Sequence, residues 1–410
     1  MIQELELLRQ TARSQFPSMA RPEAFLENAG GSQVPGSVMD EVARFLREDY
    51  VQTGAGYPPS DRATLVVDQA HQFALEFFGG EGCGKVAFGP SSTNLVFLLA
   101  WALGQTLNPG DEVILSVANH ESHLSPWERL QDRGVNIKWW RVDPVSGQSS
   151  LDDLAELLTP KTKVVCFSET SNLVGDILDV RAITEMAHQV GAISVVDCVA
   201  SASHTPPSVD EWKVDAAFYS QYKVYGPHFA AMFLSHALLD RLPAPGLKLL
   251  PAGPKQFELG CLPYEMLAGM LKLQGYYALL AQHQEYRGRS TVVEAGQVMK
   301  ALEDPLEDRL IQYVASRPDL RLLGPNQAGK NRQPTFSLIH SEVPSKVMAD
   351  ALQSRGLWVR HGNMYAWRLC EALGLDPEDG VLRISAVHTN TPDEIDRVCL
   401  ALDQILPNVN

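Results

Sequence analysis

Residues 192–228 read AISVVDCVASASHTPPSVDEWKVDAAFYSQYKVYGPH. Two apolar runs in this stretch, "ISVVDCV" (193–199) and "AAFYSQY" (216–222), are short, rich in β-branched or aromatic residues, and bounded by turn formers. They read as buried strands. Working outward, "DEVILSV" (111–117) and "KVVCFSE" (163–169) repeat the strand pattern. "SLDDLAELLT" (150–159) and "DVRAITEMAHQVG" (179–191) read as amphipathic helices, the second ending at Gly191. Strand–helix–strand alternation of this kind predicts an α/β fold whose mostly parallel sheet is covered on both faces. Ligands of such sheets gather at the carboxyl ends of the strands. That is where Asp197 and Lys223 stand, 26 residues apart.

Bulk properties narrow the partners. The chain has 410 residues, 45% of them hydrophobic, and a net charge of −15 from 49 acids and 34 bases. An acidic excess of this size argues against nucleic acid or an anionic membrane surface as partner. The N-terminal "MIQELELLRQTARSQF" has helical spacing and no continuous apolar core, so it does not read as a secretory signal, and no apolar run approaches a membrane span. Six cysteines are scattered without paired spacing, which fits reduced thiols in a cytoplasmic protein and gives no reason to expect a metal. A Pro/Gly-rich stretch, "LPAPGLKLLPAGP" (242–254), interrupts the alternation. A long helical run (263–288) follows it, and then the strand candidates "TFSLIH" (335–340), "LWVRHG" (357–362) and "VLRISAV" (381–387). The expected organisation is an N-terminal helical segment (1–24), a large domain (25–275) and a small α+β C-terminal domain (276–410).

An aspartate at a strand end is ordinarily a cap, and a lysine among aromatics ordinarily snorkels to the surface. Together, at successive strand ends, they meet the needs of pyridoxal 5′-phosphate, which takes an amine for its Schiff base and a carboxylate at its pyridine nitrogen. Seven stretches, two of them holding Asp197 and Lys223, occur in matching order: "FLENAGGSQVP" (25–35), "FGPSSTN" (88–94), "GDEVILSVANHESHLSPW" (110–127), "SETSNLVGDILDV" (168–180), "VVDCVASASH" (195–204), "YSQYKVYGPH" (219–228) and "LRISAVHTNTPDEID" (382–396). With these the chain resembles the fold-type I pyridoxal-phosphate enzymes of the class V aminotransferase and cysteine desulfurase group, nearest the cysteine desulfurase-like branch. The resemblance implies a large domain with a mostly parallel, mixed seven-stranded sheet between helices. It also implies a homodimer with its active sites at the subunit interface, and an amino-acid substrate.

By the same resemblance, Lys223 is the Schiff-base lysine, Asp197 faces the pyridine nitrogen, and His120 lies over the ring. Ser91, Ser92 and Thr93 hold the phosphate at a helix N-terminus, a favourable anion site, with Ser220 and Tyr222 as further contacts. Cys261 stands where relatives reach the neighbouring subunit's phosphate. Asn172, Asn28, Tyr365 and Arg383 fall to the substrate, Arg383 gripping its carboxylate. Several positions depart from the group. The loop "RHGNMYAWRLC" (360–370) has Tyr365 where desulfurases carry their sulfur-accepting cysteine, and Cys370 reads as a buried helical thiol. Tyr222 replaces a histidine. Ala200 replaces a glutamine or histidine, leaving Ser201 as the nearest hydroxyl. The expected activity is therefore β-elimination at the C–S bond of L-cysteine or a cysteine S-conjugate, with His123, Tyr365 or Tyr222 as acid for the leaving sulfur. The alternatives are an aminotransferase or epimerase, a desulfurase lacking the usual loop cysteine, or a non-catalytic cofactor binder.

Overall fold

The computed structural model describes residues 2–243, 245–250, 253–327 and 331–406; Ala244, Pro251 and Ala252 of the Pro/Gly-rich stretch lie outside them. In chain order the strands are β1 (Ala24–Phe25), β2 (Gly84–Gly89), β3 (Glu112–Ser116), β4 (Asn136–Trp140), β5 (Thr162–Ser168), β6 (Ile193–Asp197) and β7 (Ala216–Ser220). They continue with β8 (Ala230–Ser235), β9 (Leu320–Leu322), β10 (Thr335–His340), β11 (Leu357–Trp358), β12 (Arg360–Gly362) and β13 (Val381–Ser385). Strands β2 to β8 form one seven-stranded sheet in the order β2-β8-β7-β6-β5-β3-β4. Neighbours are parallel except around β8, which runs antiparallel to β2 and β7. This is the mostly parallel, mixed sheet implied above.

Its two faces build separate cores through the alternation of side chains along each strand. Val195 points to one core with Leu95, Val96 and Leu99 of helix Ser92–Gly104. Val196 points to the other, with Phe73 and Phe77 of helix Pro58–Phe78 and Ile183 of helix Val180–Gln189. Because β6 and β7 are covered on both sides, every residue in them is buried. Truncating a core phenylalanine such as Phe77 should cost about 3–5 kcal/mol.

A second, four-stranded sheet has the order β12-β13-β10-β9 and is antiparallel throughout. Helices Ser345–Gln353 and Pro392–Ile405 cover it, the latter started by a capping box between Thr391 and Glu394. The first strand joins this unit rather than the large sheet: β1 pairs parallel with β11, and Ala24 and Leu26 sit in the C-terminal core.

Two sequence expectations change in detail. The run 263–288 is two helices, Tyr264–Leu271 and Leu273–Leu280, and Lys272 between them keeps helical angles, so the axis is only slightly interrupted. The run "LWVRHG" is two strands, because the chain leaves the parallel pairing with β1 at Val359 and re-enters an antiparallel pairing with β13. No helix among the described residues is long and apolar enough to cross a membrane.

Candidate active site

Lys223 ends a single 3₁₀ turn that follows β7. The turn is built to hold it. Gln221 N–H donates to Phe229 O, and the Gln221 side chain lies where a Cβ on Gly226 would strike it at 2.5 Å. Tyr225 takes a positive φ of 69° and anchors the turn by donating its hydroxyl to Ser203 O. Lys223 is 8% exposed and makes no ion pair or side-chain hydrogen bond among the described residues. Burial, reinforced by the nearby Arg383 charge and opposed by Asp197, brings its pKa down to about 8. A useful fraction of this amine is neutral near physiological pH.

Asp197 is the last residue of β6, and its Oδ1 accepts from Val199 N–H at 2.8 Å. His120 begins the turn after β3. Its Nδ1 accepts from Ser122 N–H at 3.1 Å, which leaves the ring proton of the neutral imidazole on Nε2. Burial and the Lys223 charge push its pKa down to about 4, so the ring is uncharged at neutral pH. Ser91 caps helix Ser92–Gly104 by accepting from Asn94 N–H, and Ser92 and Thr93 start its first turn. Ser220 closes β7, and the Tyr222 ring stacks on His228 at 5.0 Å and 13°.

These residues converge. Ser91, Ser92, Thr93, His120, Asn172 and Asp197 line one cavity, and Ser220, Tyr222 and Lys223 complete it. Ser122 and Ser168, which the sequence does not single out, line it too. Arg383 approaches from β13: it is 2% exposed, its Nη1 donates to Asn172 O at 3.1 Å, and its Nε has no partner.

Other expected residues lie elsewhere. Asn28 does not line the cavity; its amide donates to Ser385 O and Asn390 Oδ1 and so anchors the segment after Arg383. Tyr365 stands at the mouth, its ring 5.3 Å from that of His120. Cys261 is exposed on the wall of a separate cavity of about 760 Å³ that Pro90 and Asn94 also line, on the outer side of the Ser91–Thr93 loop. His123, considered above as an acid for the leaving sulfur, cannot reach one. It is fully buried, its Nε2 lies 3.4 Å from Asp197 Oδ2, and burial lowers its pKa. Its place is behind the aspartate. Nor does Ser201 compensate for Ala200: its hydroxyl is committed to Glu169 and Cys198 O.

The site is short of partners in a telling way. Ser92 Oγ, Asn172 Oδ1 and Arg383 Nε are buried and unpaired, where each such group costs on the order of 1–3 kcal/mol. A hydroxyl at a helix N-terminus suits a phosphate, and a buried guanidinium without a carboxylate suits a substrate carboxylate. With Lys223 and Asp197 between them, this donor set fits pyridoxal 5′-phosphate carrying an α-amino acid.

Comparison with known proteins agrees. Residues 24–398 match the family model described as aminotransferase class-V. The chain is 32% identical to the aminotransferase-like protein FGM3 of Gibberella zeae, over 97% of this chain and 98% of that one. It is 26% identical to the cysteine desulfurase-like protein ustD of Aspergillus flavus, over 97% and 90%. The fold superimposes on the cysteine desulfurase CsdA of Escherichia coli with a TM-score of 0.82 at 22% identity, covering 97% and 98%.

Proposed function

Because the chain belongs to the aminotransferase class-V family and is a pyridoxal 5′-phosphate-dependent enzyme, we propose that it is a C–S β-lyase. Its substrate would be L-cysteine or a cysteine S-conjugate, and its products pyruvate, ammonium and a thiol. One observation carries this reading: among the described residues no cysteine lines the lysine cavity. Tyr365 occupies the tip of the loop over His120, while Cys370 is buried and its thiol pushed up to about 11. Cys166 and Cys198 are buried with thiols held well above their ordinary range, and Cys261 belongs to the other cavity. Transfer of sulfur to a cysteine of this chain has no acceptor here; elimination needs none.

When bound, the cofactor stabilises negative charge at the substrate Cα, which allows a β-substituent to leave. The chain's residues do the rest. Lys223 Nζ accepts the Cα proton, for which a pKa near 8 is well placed. Asp197, with His123 fixed behind it, would hold the pyridine nitrogen, and the uncharged His120 would cover the ring face. Ser91–Thr93 and Ser220 would hold the phosphate. Arg383 orients the substrate carboxylate, with Asn172 bridging the two halves of the site. A homodimer in which Cys261 lies near the partner's phosphate completes the proposal.

The test is product identity. Purified holoprotein incubated with L-cysteine and with S-alkyl and S-aryl cysteines should release pyruvate and the corresponding sulfide or thiol in equal amounts. Alanine with protein-bound persulfide would overturn the lyase reading in favour of desulfuration. Accumulation of the cofactor's amine form with a keto acid would overturn it in favour of transamination.

A further inference from the structure

Among the described residues five non-glycine positions have positive φ, and of these Met364 (53°) and Tyr365 (60°) are the consecutive pair. The left-handed region is disfavoured for residues with side chains, so two in succession persist only where the surroundings impose them. Four hydrogen bonds do so. Asn363 accepts from Tyr365 N–H through Oδ1 at 3.0 Å and from Ala366 N–H through its carbonyl at 2.8 Å. Asn172 Nδ2 donates to Met364 O, and Glu121 N–H to Tyr365 O, both at 2.8 Å. The last two bonds come from the segments that carry the cavity residues Asn172 and His120. Met364 is buried by this arrangement; Tyr365 is turned outward, 65% exposed, against the His120 ring and beside an open cavity of about 480 Å³ that Trp367 and Arg368 also line. The strain therefore fixes a largely exposed phenol against His120, a residue that lines the lysine cavity, and leaves most of its ring in solvent.

β-Elimination needs a proton at that place. As the Cβ–S bond breaks, its electron pair stays on sulfur, and an alkyl thiolate leaves readily only if protonated. His123 is behind Asp197, and Tyr222 is stacked on His228. We propose, resting on the lyase reading, that Tyr365 is the general acid for the leaving sulfur. Its Oη–H proton passes to sulfur as the bond breaks, and the phenolate regains a proton from the solvent to which it is exposed. Phenols and alkyl thiols are acids of comparable strength, so the transfer is matched for alkyl leaving groups and superfluous for acidic aryl thiols.

Tyr365→Phe keeps the ring on His120 and removes only the hydroxyl. Its cofactor absorbance band, cofactor affinity and thermal stability should equal those of the unaltered enzyme. Across S-substituted cysteines of graded leaving-group acidity, kcat/KM should fall by ~10²-fold for S-alkyl substrates, by less for L-cysteine, whose hydrosulfide leaving group is a weaker base, and stay within about threefold for S-(4-nitrophenyl)cysteine. A uniform loss across the series, or no loss, would overturn the assignment while leaving the lyase reading intact. Absence of pyruvate from every substrate with the unaltered enzyme would overturn both.

Discussion

Replacing Glu169 by glutamine should stabilise the protein, and by an amount that depends on pH. Glu169 follows β5, is buried beside Asp197, and its carboxylate accepts from the Ser201 hydroxyl. Burial, with a smaller contribution from the Asp197 charge, raises its pKa from 4.5 to about 7. The folded state thus binds this proton more tightly than the unfolded state does. The stability gained is fully present below about 4.5 and is lost as pH rises through about 7. At 1.36 kcal/mol per pKa unit, the ionised carboxylate costs the folded state about 3 kcal/mol at pH 8, but under ~1 kcal/mol at pH 5. Glutamine accepts the same hydroxyl and carries no charge. An unfolding entropy of ~2.1 cal/mol/K per residue over the chain converts 3 kcal/mol into a Tm rise of about 4 °C. Calorimetric or circular-dichroism melts of Glu169→Gln against the unaltered protein should show ~4 °C at pH 8 and ~1 °C at pH 5. An equal shift at both pH values, or a loss at pH 8, would refute the argument from a buried carboxylate.

Three further outcomes follow from the site. The rate at which apoprotein captures pyridoxal 5′-phosphate, followed by stopped-flow absorbance, should rise with pH and level off above about 8, because the neutral Lys223 amine is the reacting form. Arg383→Gln should move that midpoint upward; a midpoint indifferent to Arg383 refutes the coupling. If Arg383 grips the substrate carboxylate as proposed, the same variant removes charge-assisted bonds worth ~3 kcal/mol, so KM should rise ~10²-fold while kcat changes far less. Equal losses in kcat and kcat/KM would show that the guanidinium acts on the chemistry instead. His123→Leu keeps the buried volume but removes the nitrogen behind Asp197. Cofactor affinity by fluorescence titration should fall ~10-fold, and unchanged affinity would make His123 a packing residue only.

The legible parts of this protein are those where local pattern and tertiary environment agree. Strands β3, β5, β6 and β7 are visible as apolar runs because both faces of each are covered. Edge strand β4, "NIKWW", is harder to see: it is half-exposed and mixes a lysine with aromatics. Asp197 and Lys223 stand out because each is an ionisable residue closing an apolar run. His120 and His123 are a different case. They are the same residue type three positions apart, and a 3₁₀ turn sends one to the cavity and the other behind Asp197. No spacing rule separates them. Ser201 and Asn28 are likewise plausible donors in sequence, and the tertiary hydrogen bonds they donate to Glu169, Ser385 and Asn390 commit them elsewhere.

The two ends of the pocket rest on different hydrophobic cores. Lys223, Asp197 and the Ser91–Thr93 turn are carried by the seven-stranded sheet, Arg383 by the C-terminal unit that also takes in β1, and Tyr365 by a loop whose Met364 packs in a small core shared by both. Asn172 staples the halves, accepting from Arg383 and donating to Met364. On the proposed reading, cofactor capture falls to the first part of the chain and contact with the substrate carboxylate to the second. Substitutions that accumulate around β12 and β13 would then act on the substrate side of the pocket and, wherever they touch the Arg383 charge, on the basicity of Lys223 as well. Exchanging the segment from β10 to β13 between members of the family is expected to change both properties together while leaving the 3₁₀ turn that carries the lysine in place.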